Sequence, residues 1–178
     1  QLDCFKAQAD LNGITFSLEA PEREYPVRLD RKDLDRITMN LISNGIKYNR
    51  EGGSLTLTIQ QESESVVVKV RDTGIGMSEE EMKGLFAEFY RVKNPSTSGI
   101  PGTGLGLATV KRIIGEYNGS IQVDSRPGEG STFTVTLPVR FLHSAPTAAP
   151  QTPDTLDLPS EQGVKILVVE DDPTAFEL

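Results

Sequence analysis

The 178-residue chain predicts an α/β domain, and three observations carry that prediction. Residues 55–59 (Leu-Thr-Leu-Thr-Ile) and 66–70 (Val-Val-Val-Lys-Val) are runs of strand length rich in β-branched and aliphatic side chains. Residues 32–48 and 106–117 carry apolar side chains at helical spacing: Leu34, Ile37, Leu41 and Ile42 in the first, Leu107, Val110, Ile113 and Ile114 in the second. Between them, Asp72-Thr73-Gly74-Ile75-Gly76-Met77 follows a strand directly, and Ser78 with Glu81 forms a capping box that opens another helix.

In chain order, residues 2–11 read as a helix with Leu2, Phe5, Ala9 and Leu11 on its apolar side and Gly13 just past its end. Residues 14–18 alternate apolar and polar, as a half-buried strand does. Pro21 and Pro26 bound a polar turn, and 27–29 is a short second strand leading to Asp30, an N-cap for the long helix. Glu51-Gly52-Gly53 turns the chain into a hairpin of strands 55–59 and 66–70, with Glu62-Ser63-Glu64 at its tip. Met82, Leu85 and Phe86 form the core face of the helix after Ser78. Residues 92–103 then hold Pro95, Gly99, Pro101 and Gly102 among small polar side chains, a loop whose length inside a compact domain reads as a mobile lid. Strands 120–123 and 132–137, joined by Arg126-Pro127-Gly128-Glu129-Gly130, close the pattern.

Composition excludes several classes of function. A net charge of −8 argues against nucleic acid as partner, because a phosphate backbone needs a positive surface. Cys4 and His143 are the only residues of their kinds, which removes internal disulfides and His- or Cys-rich metal clusters. No apolar run is long enough to span a bilayer. Gln1-Leu2-Asp3-Cys4 reads as an internal start with no secretion leader, so a piece of a longer, cytoplasmic protein is expected, with membrane anchoring of the parent left open. Three units are expected: a domain over 1–142, a Pro/Ala/Thr-rich linker over 143–162 with Pro146, Pro150, Pro153 and Pro159, and a strand signature in 163–178 that runs into Glu170-Asp171-Asp172.

Two stretches carry chemistry. Asp72 ends a strand, so the sheet holds its carboxylate at a fixed point, and Gly74 and Gly76 let the backbone come close to a flat ligand. Such an acceptor suits the exocyclic amine of adenine; an ordinary strand–turn–helix corner would explain the glycines but not the carboxylate. On the long helix, Asn40, Asn44 and Lys47 share one stripe. Asn is a poor helix-interior residue, so two of them beside a lysine fit either a solvated polar face or a wall facing a polyphosphate with its Mg²⁺. Gly102-Thr103-Gly104-Leu105-Gly106 opens a helix whose first N–H groups make an anion site, but it matches neither a dinucleotide-binding fingerprint nor a P-loop.

Taken together, four motifs resemble those of sensor histidine kinases in order and spacing. The stretch from Asn40 to Tyr48 resembles their N box, Asp72 to Met77 their G1 box, Leu85-Phe86-Ala87-Glu88-Phe89-Tyr90-Arg91 their F box, and Gly102 to Leu107 their G2 box. The resemblance covers about residues 1–140. It implies the Bergerat (GHKL) ATP-binding fold: a two-layer α/β sandwich, with a mixed sheet under three helices and a flexible ATP lid. It also implies roles. Asp72 would accept from the adenine amine, with Gly74 and Gly76 shaping the pocket and Tyr48 beside the base or ribose. Asn44 would ligate Mg²⁺ with Asn40 near the phosphates, and Lys47, Arg91 and Lys93 would supply positive charge. Gly102, Gly104 and Gly106 would let the lid close, and Phe89, Thr103 and Leu105 join the nucleotide-binding set as members of their boxes.

The final strand resembles the start of a response-regulator receiver domain, with Glu170 and Asp171 as its Mg²⁺-binding acids, which implies a hybrid kinase. One strand cannot form a sheet domain, so 164–178 are expected to be disordered or packed opportunistically. Gly45 departs from the family's alanine. The helical hairpin that bears the phosphoacceptor histidine is missing, and His143 lacks the acceptor motif and reads as a surface residue. Expected partners are therefore that hairpin, from the same parent protein, and a receiver domain, with this chain monomeric on its own. A nucleotide-binding scaffold without transfer, and a GHKL ATPase of the chaperone, mismatch-repair or topoisomerase kind, remain the alternatives.

Overall fold

The computed structural model describes residues 2–20, 25–27, 29–139 and 166–168. Its elements run α1 (Leu2–Leu11), β1 (Thr15–Glu19), β2 (Tyr25–Val27), α2 (Arg31–Lys47), β3 (Ser54–Glu62), β4 (Ser65–Asp72), α3 (Glu79–Lys83), α4 (Gly106–Glu116), β5 (Ser120–Arg126), β6 (Gly130–Pro138) and β7 (Ile166–Val168). Five strands form one sheet in the order β1-β3-β4-β6-β5, parallel between β1 and β3 and antiparallel elsewhere. This is the mixed sheet expected.

Alternation along the strands builds the core on one face. Leu55, Leu57 and Ile59 of β3, Val66 and Val70 of β4, and Phe133, Val135 and Leu137 of β6 are buried. Three helices cover that face, with Phe5 and Ala9 from α1, Ile37, Leu41, Ile42 and Ile46 from α2, and Val110, Ile113 and Ile114 from α4. The opposite face carries Thr56, Thr58, Lys69, Arg71, Thr132 and Thr134, the polar half of the same period. Asp30 caps α2 by accepting from the N–H of Lys32 at 2.6 Å. The far end of α4 is tied to that cap: the Tyr117 hydroxyl donates to Asp33 Oδ2 at 2.9 Å and accepts from the Asp30 N–H at 3.2 Å.

Three local expectations need correction. Leu11 is 88% exposed, because α1 ends there and Gly13 (φ +66°) turns the chain so that Ile14 enters the core instead. The second strand is Tyr25–Val27, and Leu29 is buried in the segment leading to the Asp30 cap. The capping box of Ser78 and Glu81 forms, yet the short α3 buries no residue; Met77, Leu85 and Phe86 pack only at the edge of the core. Of the C-terminal stretch, three residues form a strand, β7, which pairs in parallel with β2, Tyr25 opposite Ile166 and Val27 opposite Val168. His143, Glu170 and Asp171 lie outside the described residues.

Candidate functional site

The pleat of β4 decides where its last side chain goes. Asp72 is in phase with Val66 and Val70, so the strand delivers a carboxylate to the helix-covered side of the sheet, where it is 6% exposed. Its Oδ1 accepts from the backbone N–H of Gly74 at 2.8 Å and of Ser131 at 3.2 Å. Burial pushes the carboxyl pKa above its ordinary 3.8, against the pull of those two N–H bonds. Among the described residues no donor reaches Oδ2, and the carboxylate borders a cavity of about 270 Å³.

Helix α2 forms one wall. Its buried face holds Ile37, Leu41, Ile42 and Ile46, which leaves Asn40, Asn44, Lys47 and Tyr48 on the stripe lining the cavity. Asn40 Nδ2 donates to the Arg36 carbonyl at 2.7 Å, which orients its amide and sets Oδ1 against the backbone of Gly106, where a Cβ would collide with it. The amide of Asn44 has no protein partner among the described residues. Lys47 Nζ lies 5.1 Å from the centre of the Tyr48 ring.

The start of α4 forms the next wall. Its N-cap position, Leu105, makes no side-chain cap bond, so the first-turn N–H groups stay available to an anion. Lys47 and Arg91 converge around Gly102: a Cβ there would stand 2.9 Å from Lys47 Nζ and 3.8 Å from Arg91 Nε. The guanidinium of Arg91 also donates to the Ile100 carbonyl across the loop. That loop is held at its near end. Asn94 Nδ2 donates to Glu81 Oε1 at 2.9 Å, and Thr97, 4% exposed, donates its hydroxyl to the Val92 carbonyl at 2.8 Å.

Of the residues expected from the sequence, Asn40, Asn44, Lys47, Tyr48, Asp72, Gly76, Arg91, Gly102, Thr103, Gly104 and Gly106 line this cavity. Four do not. Gly74 acts through its N–H on Asp72, and Lys93 is exposed. Phe89 is 71% exposed, at a backbone φ of +62°, and Leu105 is 37% exposed. The sequence reading missed Ser131, Phe133, Tyr90 and Thr97. Ser131 pairs with Asp72 across β4 and β6, a register that the turn Gly128-Glu129-Gly130 could have signalled.

For Mg²⁺, the donor set is amide oxygen rather than carboxylate: no cluster of three or more acids, histidines or cysteines exists among the described residues. Asn44 fits an ion that phosphate oxygens and water hold for the most part.

A cavity that brings together a buried acceptor, two amides, two cations and an open helix start is a nucleotide site on an α/β sandwich. Residues 29–140 match the family described as histidine kinase-, DNA gyrase B-, and HSP90-like ATPase, and the chain belongs to that family. It is 37% identical over 129 residues to the sensor histidine kinase WalK of Bacillus subtilis (strain 168), an alignment covering 71% of this chain and 21% of WalK. To the sensor histidine kinase AtsR of Burkholderia thailandensis it is 32% identical over 182 residues, covering 99% of this chain and 30% of AtsR. The catalytic domain of histidine kinase ThkA superposes with a TM-score of 0.66 at 28% identity, covering 77% of this chain and 88% of that domain. Within the family, then, this is an ATP-binding catalytic domain of the histidine kinase type, spanning less than a third of those two curated relatives.

Proposed function

We propose that this chain binds ATP with Mg²⁺ and transfers the γ-phosphoryl group to a histidine on a dimerisation hairpin of the same parent protein, in the cytoplasm. The observation that carries the reading is the make-up of the cavity: one buried carboxylate, Asp72, and a separate group of Lys47 and Arg91 around Gly102 beside the uncapped α4 start. Asp72 accepts from the adenine amine through Oδ2, while Oδ1 stays tied to the backbone. Lys47 and Arg91 hold the phosphates, Asn40 orients them, and Asn44 offers its amide oxygen to the metal. When bound, Mg²⁺ would supply positive charge that offsets the charge of the phosphates. In transfer, the bond from the γ-phosphorus to the bridging oxygen breaks, a bond to an imidazole nitrogen forms, and ADP leaves with the electron pair. Positioning and charge do most of that work.

The parent is a hybrid kinase in this reading. Its support is the strand-plus-acid pattern of residues 164–172. In this reading dimerisation belongs to the hairpin and the chain alone is a monomer; a tight dimer in sedimentation would count against this.

Calorimetric titration of ATP with and without Mg²⁺, followed by addition of a separate histidine-bearing hairpin and radiolabelled ATP, tests the proposal. Binding strengthened by Mg²⁺ and label appearing on the hairpin histidine support it. Binding without transfer leaves a scaffold, and no binding removes the nucleotide reading.

A further inference from the structure

The turn between β5 and β6 is built against the glycine loop that follows Asp72, and one hydroxyl joins them. Ser125 Oγ accepts from the backbone N–H of Met77 at 2.8 Å, across 48 residues of chain. It donates to the Gly130 carbonyl at 2.8 Å. Its third neighbour is the Ser131 hydroxyl at 3.0 Å. A serine hydroxyl has a single proton, so with that of Ser125 engaged on Gly130, the proton of Ser131 serves this contact. Ser131 in turn gives its backbone N–H to Asp72 Oδ1. The chain of bonds therefore runs from Met77 through Ser125 and Ser131 to the carboxylate.

Two further contacts clamp the same interface. Gly128 donates its N–H to the Ile75 carbonyl at 2.8 Å. Gly76, at φ +65°, lies so close to Arg126 that a Cβ would run into its carbonyl oxygen. Ile75, Gly76, Met77 and Ser131 all line the cavity, whereas Ser125 does not. It touches the lining from behind.

We propose that Ser125 is a positioning residue for base selection: by spacing the glycine loop from the Asp72 carboxylate, it sets the preference for adenine over guanine. The proposal rests on the nucleotide reading above. Adenine offers an amine donor to a carboxylate, while guanine offers a carbonyl oxygen at the same ring position, which a held carboxylate repels. Phosphate binding belongs to Lys47, Arg91 and the start of α4, none of which Ser125 bonds; its partners are Met77, Gly130 and Ser131. Loosening the loop therefore weakens ATP and leaves the affinity for GTP, which rests on its phosphates, nearly unchanged. Alanine at 125 leaves the Met77 N–H and the Gly130 carbonyl without their partner; threonine keeps the oxygen.

The test is competition of ATP and of GTP, up to millimolar concentration, against a fluorescent adenine nucleotide on wild type, Ser125→Ala and Ser125→Thr, with a thermal melt of each. In Ser125→Ala the ATP Kd rises about tenfold, GTP moves less than about twofold, and the ATP-over-GTP preference falls by about tenfold, the effect of one lost part-buried hydrogen bond. Ser125→Thr restores the preference. A merely structural serine lowers the melting temperature and weakens both nucleotides equally, or neither; an unchanged preference overturns the proposal. Should Ser125→Ala fail to melt cooperatively, Ser125→Cys, close in volume and a weak hydrogen-bonder, is read by the same criterion. Wild type that binds no ATP overturns the nucleotide reading, and this proposal with it.

Discussion

Replacing Asp72 by Asn separates two effects of its carboxylate that oppose each other. In the ligand-free chain the group is 6% exposed, and burial holds its pKa above 3.8 in spite of two backbone N–H bonds. An acid raised in this way favours the fold in its neutral form. That contribution is complete below the unfolded pKa and is lost as pH rises through the folded one. Above its folded pKa the ionised carboxylate is therefore a net burden on the free domain. Asn keeps an oxygen for Gly74 and Ser131 and carries no charge, so Asp72→Asn raises the melting temperature there. The gain shrinks as pH falls through the folded pKa. Nucleotide binding moves the other way. A hydrogen bond to a charged acceptor contributes about 1.5–3 kcal/mol, and about 1.4 kcal/mol is a factor of ten. The ATP Kd thus rises by one to two orders of magnitude, with the Asn amide adding a donor facing the adenine amine. Differential scanning calorimetry of the free protein and titration calorimetry with ATP read the two effects separately. A lower melting temperature combined with unchanged ATP affinity would refute the argument, because it would make Asp72 a structural residue only.

Four other perturbations have defined outcomes. Gly45→Ala gains about 1 kcal/mol of helix propensity, but its methyl would collide with Cδ1 of Leu55, a fully buried side chain. Overpacking costs about 1–3 kcal/mol, so urea denaturation gives a net loss of up to about 2 kcal/mol, and Leu55→Val in the same chain recovers part of it. Gly130→Ala places a Cβ against the Asp72 carbonyl at φ +97°; it lowers stability by about 2 kcal/mol or more and abolishes ATP binding in the same titration. Asn94→Ala removes the bonds to Glu81 and Thr97; limited proteolysis then cuts sooner within 92–103, while global stability changes by about 1 kcal/mol at most. Asn44→Ala leaves Mg²⁺-free ATP affinity unchanged and removes most of the Mg²⁺-dependent increment.

Much of the fold was legible because its signals are local and periodic. Leu55-Thr56-Leu57-Thr58-Ile59 announces its buried face by alternation, and Asp30 and Ser78 announce the helices they cap. The half of the site carried by α2 was legible for the same reason, as a stripe at helical spacing. The other half was not. Ser131 meets Asp72 across 59 residues, and Ser125 meets Met77 across 48, through register and turn geometry that leave no period in the sequence. Phe89 was placed at the ligand because a motif contains it, yet its positive φ belongs to a loop conformation that composition does not encode. Leu11 misled in a simpler way: an apolar residue in phase with a helix says nothing about where the helix stops.

The strand order has a consequence for biosynthesis. In the five-stranded sheet, β6 is made last and lies between β4 and β5. A nascent chain that has emerged only through residue 119 already carries Asn40, Asp72, Arg91 and Gly106. Yet its Asp72 lacks the Ser131 N–H, and its glycine loop lacks both Ser125 and Gly128. Pairings of this sequence separation form late, after the local helices and the β3–β4 hairpin. On the ribosome, the base end of the pocket therefore closes only when the last strand of the sheet slots into place, and a partly translated domain has no finished seat for a nucleotide.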